Sequence, residues 1–354
     1  MTVVFAGGGT GGHLYPAIAI ADALRQRGAN IAFVGSADRL ETTIVPKAGY
    51  PLYSIAAHSL PRRPSLRFFG AIAANAQGIA QSLRLLSAVR PDLVVATGGY
   101  VCFPVAVAAR MRRLARLSRA PIVLVEPNAA PGLTNRLLAP IVDEVWRSVP
   151  IRASLRRLPP REEAASRLGL DPSRRTLVAV GGSQGARAIN DALLGLVAAG
   201  GIPNGWQLLH LTGDGDYQRV AAQHPPVEAP AVVRSYLEDM ADAYSVADLL
   251  LTRGGASTLG ELRALGKPAI VVPYPFAAEG HQAANAAALE EAGAVVMLSD
   301  RELHDGRLAG VLAAATQERR LAELRENARR MQGSDPLAGI LARIESLVPR
   351  KNER

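Results

Sequence analysis

Thr2-Val3-Val4-Phe5-Ala6-Gly7-Gly8-Gly9-Thr10-Gly11-Gly12-His13 is the stretch that decides how the rest of the chain reads. Its apolar opening predicts a buried strand. Tyr15-Pro16-Ala17-Ile18-Ala19-Ile20-Ala21-Asp22-Ala23-Leu24 predicts a helix with proline in its first turn. Five of the six residues from 7 to 12 are glycine. Bare backbone there approaches a ligand closely, and the unpaired N–H groups that open the helix suit an anion such as phosphate. His13 stands at the mouth of the turn, where an imidazole can take a proton from an incoming hydroxyl. An ordinary tight turn with a histidine beside it fits the same residues, so the wider pattern has to decide.

That pattern is strand and helix in alternation. Strands are predicted at 2–6, 30–35, 51–54, 92–97, 122–126 and 144–146, with helices at 16–26, 40–48, 69–89, 104–117 and 133–138. Runs such as Leu93-Val94-Val95-Ala96 and Ile122-Val123-Leu124-Val125 lack polar alternation, as expected of parallel strands covered on both faces. Four prolines (150, 159, 160, 172) and seven arginines from Arg152 to Arg175 then mark a linker with one short helix at 161–168. The pattern restarts with Thr176-Leu177-Val178-Ala179-Val180, a second turn Gly181-Gly182-Ser183-Gln184-Gly185-Ala186-Arg187, and a helix at 188–199. Further strands follow at 206–212, 231–235, 249–252 and 269–272, and helices at 241–247, 258–265, 282–292 and 305–316. The expectation is an α/β chain of two doubly wound, Rossmann-like domains, 1–150 and 151–335, facing each other across a ligand cleft. A last helix from residue 336 is expected to return to the first domain.

With 354 residues, 49% apolar and 20% charged, the chain is an ordered protein too long for one small core. One cysteine, Cys102, excludes an internal disulfide framework and a Cys-based zinc cluster, and suits a reducing, cytoplasmic setting. The first apolar run is too short for a signal peptide, and no run reaches the roughly 18 residues of a spanning helix. The net charge of +9 is one-sided: residues 1–150 hold 16 Lys+Arg against 7 Asp+Glu, and the remainder 24 against 24. A basic first half points to an anionic partner.

Three further stretches carry chemistry. Neither glycine turn is a dinucleotide fingerprint or a Walker loop, since no acid closes the next strand and no Gly-Lys-Ser/Thr ending is present. Arg253-Gly254-Gly255-Ala256-Ser257-Thr258-Leu259-Gly260-Glu261 follows an apolar strand and opens a helix whose hydroxyls can meet phosphate. Glu261 there suits a ribose diol, or else forms a capping box with Thr258. Gln282 and Asn285, after the loop that begins at Pro273, carry amides suited to a sugar. Asp214-Gly215-Asp216 has the spacing of a metal–diphosphate site, yet without other acids it reads as a solvated turn.

Gly8-Gly9-Thr10-Gly11-Gly12-His13-x-x-Pro16, Gly98-Gly99-Tyr100-Val101, Gly132-Leu133-Thr134-Asn135, residues 181–186 and Gly255-Ala256-Ser257-Thr258-x-x-Glu261 occur in that order. Together, over nearly the whole chain, they resemble the MurG family of bacterial transferases. The resemblance implies a GT-B fold. It implies inverting transfer of N-acetylglucosamine from UDP-N-acetylglucosamine to the C4 hydroxyl of lipid I, giving lipid II, with no cofactor and no metal. It assigns His13 as the catalytic group at the acceptor, and Thr10, Gly11, Gly12 and Tyr100 as substrate-binding. Asn128 and Arg152 match donor contacts, Ser183 the diphosphate contact and Leu237 the uracil side. Ala256, Ser257, Thr258, Leu259, Gly260 and Glu261 match the diphosphate and ribose segment, and Gln282 a sugar contact. The implied setting is peripheral, on the cytoplasmic face of the membrane, with cell-wall synthesis and division proteins as partners.

Two departures lie in the first half. The family often reads His-Glu-Gln-Asn where this chain has Val125-Glu126-Pro127-Asn128, and Ser-Gly where it has Cys102-Phe103. Arg62, Arg63 and Arg67 beside Phe68 and Phe69, widened by Arg110, Arg112, Arg113, Arg116 and Arg119, are expected to dock on an anionic membrane surface. Two rival readings keep the same fold: another UDP-sugar transferase with a different acceptor, and a UDP-sugar 2-epimerase-like isomerase. No recognition motif supports nucleic-acid binding.

Overall fold

A computed structural model describes residues 1–59, 66–182, 185–225, 231–277 and 280–348, with the backbone alone at 66 and 67. The chain forms two units, one of residues 1–152 with the segment from Asp335 onward, the other of residues 153–334.

The first unit carries strands β1 (Thr2–Gly7), β2 (Asn30–Gly35), β3 (Leu52–Ser54), β4 (Leu93–Gly98), β5 (Ile122–Val125) and β6 (Glu144–Trp146). All pair in parallel in the order β3-β2-β1-β4-β5-β6. Successive residues of β1 serve opposite faces. Val3 and Phe5 pack with Leu14, Ile20 and Leu24, and Val4 and Ala6 pack with Val101, Val105 and Leu138. This two-sided burial is why the strand reads as an unbroken apolar run. The helix Leu337–Leu347 closes the first face: Leu337, Ile340, Leu341 and Ile344 join the Val3–Phe5 side, each worth about 2 kcal/mol of burial. Arg343 bonds to Glu144 and holds its carboxyl below the usual range, and Arg27 pairs with Glu345 at 2.6 Å.

The second unit repeats the plan with β7 (Arg175–Val180), β8 (Trp206–Leu211), β9 (Ala231–Arg234), β10 (Ala247–Thr252), β11 (Ala269–Val271) and β12 (Val295–Met297). Their order is β12-β11-β10-β7-β8-β9, again all parallel. Both sheets therefore follow the order 3-2-1-4-5-6. In that order the strand sequence reverses between the first and fourth strands, and ligands bind beyond the carboxyl ends there. The switch points are β1/β4 and β7/β10. The glycine turns at 7–12, 98–99, 181–185 and 254–255 all follow these four strands.

Four details differ from expectation. The first helix is Gly11–Gln26, so it starts inside the glycine turn, Thr10 is its N-cap, and Pro16 lies in its interior. The strand Val295–Met297 and the helices Tyr217–Gln223, Asp300–His304 and Glu318–Arg330 were not anticipated. The helix Ala256–Leu265 is capped by Gly255 without a side-chain bond, so Thr258 and Glu261 form no capping box. Asp216 is not a solvated turn residue: Arg219 grips both its oxygens at 2.7 Å, and Asn190 Nδ2 donates to Oδ2 at 2.7 Å. These bonds, led by the Arg219 guanidinium, hold its carboxyl down at about 2. Among the described residues no helix is long and apolar enough to cross a membrane.

Candidate active site

In the first unit the site is built at the ends of β1 and β4. Thr10 is exposed, and its carbonyl accepts the N–H of His13 at 3.2 Å. Gly11, Gly12 and His13 thus form the first turn of the helix, where backbone N–H groups carry partial positive charge. The His13 ring lies on the β4 turn. A Cβ added at Gly98 (φ +112°) would stand 2.3 Å from His13 Nδ1, and one at Gly99 would stand 2.7 Å from the Gly8 carbonyl. Glycine at 99 therefore lets the two turns touch backbone to backbone, and glycine at 98 makes room for the His13 ring. Tyr100 is half-buried just beyond.

Cys102 fixes the same turn from below. Its sulfur accepts the Gly98 N–H at 3.0 Å and lies 3.0 Å from the carbonyls of Ala6 and Gly98. Burial pushes the thiol up to about 12, so it stays protonated and donates to one of those carbonyls. The cysteine thus makes the bonds a serine hydroxyl would make here. After β5, Glu126 is buried and orders the next loop. Its Oε1 accepts from the Asn128 N–H at 3.0 Å and the Asn128 Nδ2 at 2.8 Å, and its Oε2 accepts from Asn135 Nδ2 at 2.8 Å. Asn128 is therefore aimed by a carboxylate and not by Pro127. The Arg152 guanidinium lies 4.3 Å over the Tyr15 ring, two residues from His13, within the first unit.

In the second unit, Ser183 and Gln184 lie outside the described residues. Gly185 is wedged against β8: a Cβ there would stand 2.1 Å from the Thr212 carbonyl. A buried amide braces this contact. Asn190 donates from Nδ2 to the Thr212 carbonyl (3.0 Å) and to Asp216, which leaves Oδ1 facing His210 Nε2 at 2.9 Å. Since Asn190 Oδ1 can only accept, His210 carries its proton on Nε2. Desolvation, with His224 nearby, holds its pKa down at about 4. Leu237 is half-buried beyond β9.

After β10, Arg253 is spent on structure. Its Nη1 donates to the Val272 carbonyl at 3.2 Å and bonds to Asp300, and the guanidinium lies 5.4 Å from the Tyr274 ring. Ala256, Ser257, Thr258 and Gly260 are half-exposed on the first turns of the helix, whereas Leu259 is buried and offers only backbone. Glu261 is 4% exposed, and its Oε2 accepts from the Tyr244 hydroxyl at 2.7 Å. Gln282 Oε1 accepts the Tyr274 N–H at 2.9 Å, and Asn285 follows on the same helix.

The basic stretch is described only in part. Arg62 and Arg63 and the Arg67 side chain lie outside the described residues. Gly78 sits against Pro104, and Ser87 bonds to Arg112, so the helices Leu66–Val89 and Cys102–Leu114 run parallel. Phe69 is then roughly 27 Å of helix away from the arginines at 110–119, which lie at the opposite end. Arg112 and Arg113 are also engaged, by Ser87 and Asp143.

Sequence reasoning missed the residues that hold the site together. Glu41, Glu126, Asn190, Asp216 and Tyr244 each act through one buried hydrogen-bonded group. Glu126 gave a local signal, an acid two residues before an asparagine, and Asp216 gave one in Asp214-Gly215-Asp216, which by itself reads as a solvated turn.

Two family models match in tandem: the glycosyltransferase family 28 N-terminal domain over residues 3–146, and the family 28 C-terminal domain over 176–337. A curated relative from Desulforudis audaxviator is 40% identical, with 98% of this chain and 99% of that protein covered. One from Halothermothrix orenii is 36% identical, with coverage of 94% and 95%. Both are named UDP-N-acetylglucosamine--N-acetylmuramyl-(pentapeptide) pyrophosphoryl-undecaprenol N-acetylglucosamine transferase. The crystal structure of Acinetobacter baumannii MurG matches with a TM-score of 0.76 at 25% identity, covering 98% of this chain and 99% of that one. The calicheamicin glycosyltransferase CalG4, at 16% identity and a TM-score of 0.64, shares the fold alone. The two-sheet architecture is thus that of the GT-B glycosyltransferases, and the chain belongs to glycosyltransferase family 28 and, within it, to the MurG transferases.

Proposed function

We infer that the chain transfers N-acetylglucosamine from UDP-N-acetylglucosamine to the C4 hydroxyl of the N-acetylmuramoyl unit of lipid I, with inversion, forming lipid II for peptidoglycan. The observation that carries this reading is 40% identity along 98% of the chain to a curated transferase of that name. The acceptor oxygen bonds to the anomeric carbon of the donor sugar as the bond to the β-phosphate oxygen of UDP breaks. His13 takes the acceptor proton. Glu126 aims Asn128 toward the substrate, and Thr10, Gly11, Gly12, Tyr100 and Arg152 complete the first unit's contribution.

The donor rests on the second unit. Ser183 and the N-terminus of the helix Arg187–Ala198 meet the diphosphate, as do Ala256, Ser257 and Thr258 at the start of the helix Ala256–Leu265. Preorganised N–H groups stabilise the charge of departing UDP. Glu261, held by Tyr244, accepts from the ribose diol. Leu237 lies on the uracil side, and Gln282 meets the sugar. The enzyme sits peripherally on the cytoplasmic face of the membrane. Phe69 (66% exposed) and Ile72 (46%) anchor the contact.

Purified protein with labelled UDP-N-acetylglucosamine and a lipid I analogue tests the assignment: label is expected in the lipid product. Release of UDP with another acceptor, and none with the analogue, assigns the chain to a transferase of different acceptor. Interconversion of the donor without an acceptor assigns it to an isomerase.

A further inference from the structure

Glu41 is fully buried, yet nothing in the proposed reaction uses it. Its helix, Glu41–Lys47, follows β2, and the side chain enters a slot cut by two missing side chains. A Cβ at Gly8 would stand 2.3 Å from its Oε1, and one at Gly35 would stand 2.7 Å from its Cγ. Inside the slot both carboxylate oxygens are spent. Oε2 accepts the Gly9 N–H at 2.9 Å, and Oε1 accepts the Ser36 N–H at 3.0 Å and the Ser36 hydroxyl. Burying a carboxylate is costly unless such donors meet it, so its position is tightly specified.

We propose that Glu41 is a positioning residue for the transfer: an internal anion that fills the amide of the first glycine turn and sets His13 through it. The path is short. Glu41 fixes Gly9 and abuts Gly8, the Gly8 carbonyl abuts Gly99, and Gly98 abuts the His13 ring. The Gly9 N–H, an obvious phosphate ligand by sequence, is already occupied by the protein's own charge. A substrate phosphate at this N–H would have to displace a carboxylate that is fully buried and bonded at both oxygens. The first turn therefore presents a hydroxyl-activating group and leaves diphosphate binding to other N–H groups. This inference rests on His13 serving the acceptor hydroxyl.

Glu41→Gln tests it. The glutamine keeps an oxygen for Ser36 and turns an NH2 toward the Gly9 N–H, so two donors face each other where one bond was. Three quantities are read in wild type, Glu41→Gln and His13→Ala: UDP affinity by calorimetry, the KM for UDP-N-acetylglucosamine, and kcat with a lipid I analogue. The expected result for Glu41→Gln is UDP affinity and donor KM within twofold of wild type and a kcat lowered at least tenfold. Unchanged kcat in Glu41→Gln, with His13→Ala impaired, overturns the proposal. Wild-type kcat in His13→Ala, with Glu41→Gln impaired, instead removes the base role of His13. Equal losses of UDP affinity and kcat in a folded Glu41→Gln would mean a merely structural role and also overturn it. If Glu41→Gln fails to fold, the same split is read in Gly8→Ala, whose methyl displaces the carboxylate without removing it. Wild-type kcat there overturns the proposal.

Discussion

The turn after β1 and the turn after β7 hold the same place in two copies of one sheet order, yet only the first is met by a buried carboxylate. Beneath the first, the buried Glu41 carboxylate takes the Gly9 N–H. Beside the second, no acidic side chain among the described residues bonds the turn. Its support is the chain His210, Asn190 and the Thr212 carbonyl, with Asn190 tied in turn to the Asp216–Arg219 ion pair, and Arg187 opens the helix. Topology delivers a glycine turn and a helix N-terminus to each switch point. What each turn can accept is decided by the side chains packed behind it. That difference fits the proposed division of labour, a hydroxyl at the first turn and phosphate at the second.

The largest effect is expected where the first turn does its chemistry. His13→Ala should lower kcat by roughly a hundredfold to ten-thousandfold, the range for loss of a general base, while UDP binding stays intact. Steady-state rates with titration of UDP separate the two. A parallel loss of UDP affinity would mean that the first turn also holds donor phosphate, and the contrast between the turns would collapse.

Acid should discriminate next, through His210 behind the second turn. The native pKa of His210, about 4, lies below the ordinary 6.5, so native protein refuses a proton that the unfolded chain accepts between those values. The stability due to this site is whole above pH 6.5, is lost as pH falls toward 4, and changes no further below that. The span corresponds to a loss on the order of 3 kcal/mol. Urea unfolding across this window reads it. His210→Gln keeps an NH2 for Asn190 Oδ1 and should flatten the slope. An unchanged slope in that variant would move the acid sensitivity elsewhere.

Glu261 sharpens the contrast from the donor side, since it is a buried acid that a tyrosine hydroxyl meets. Glu261→Gln should raise the donor KM roughly tenfold, about 1.4 kcal/mol, with little change in kcat at saturation. A fall in kcat at unchanged KM would place Glu261 in the chemistry instead of in ribose recognition.

The sheets were legible in the sequence because their central strands, β1, β4, β5, β7 and β10, are apolar runs bounded by polar or glycine-rich turns. Val295–Met297, an edge strand of three residues just after a helix, takes its place from pairing with β11. The start of the first helix was hidden by helix-poor Gly11 and Gly12, and Pro16 marked a start five residues too late. Thr258 and Glu261 have the spacing of a capping box, but Gly255 already begins the helix, and Tyr244, from a different helix, claims the carboxylate. Glu41 had no signal at all: it stands among Asp38, Arg39, Thr42 and Thr43, as a surface residue would. Its burial follows only when Gly8 and Gly35, distant in the chain, come together. Motifs announce which groups face a substrate, whereas the groups that aim them depend on long-range packing.

The smallest effect concerns Cys102, one of the two departures from the family pattern. If the thiol only repeats the bonds of a serine, Cys102→Ser should change kcat less than threefold and cost under about 1 kcal/mol of stability. Cys102→Ala is the harsher change, because it leaves the buried Gly98 N–H unmet at a cost of about 1–3 kcal/mol, directly beside the His13 ring. With its pKa pushed up to about 12 and no exposure, the thiol should resist iodoacetamide at pH 8, leaving activity unchanged. Rapid alkylation of native protein, with loss of transfer and not of UDP binding, would show that the β4 turn opens in solution. His13 would then rest on a movable support, in contrast to the fixed one that Glu41 gives the turn from its other side.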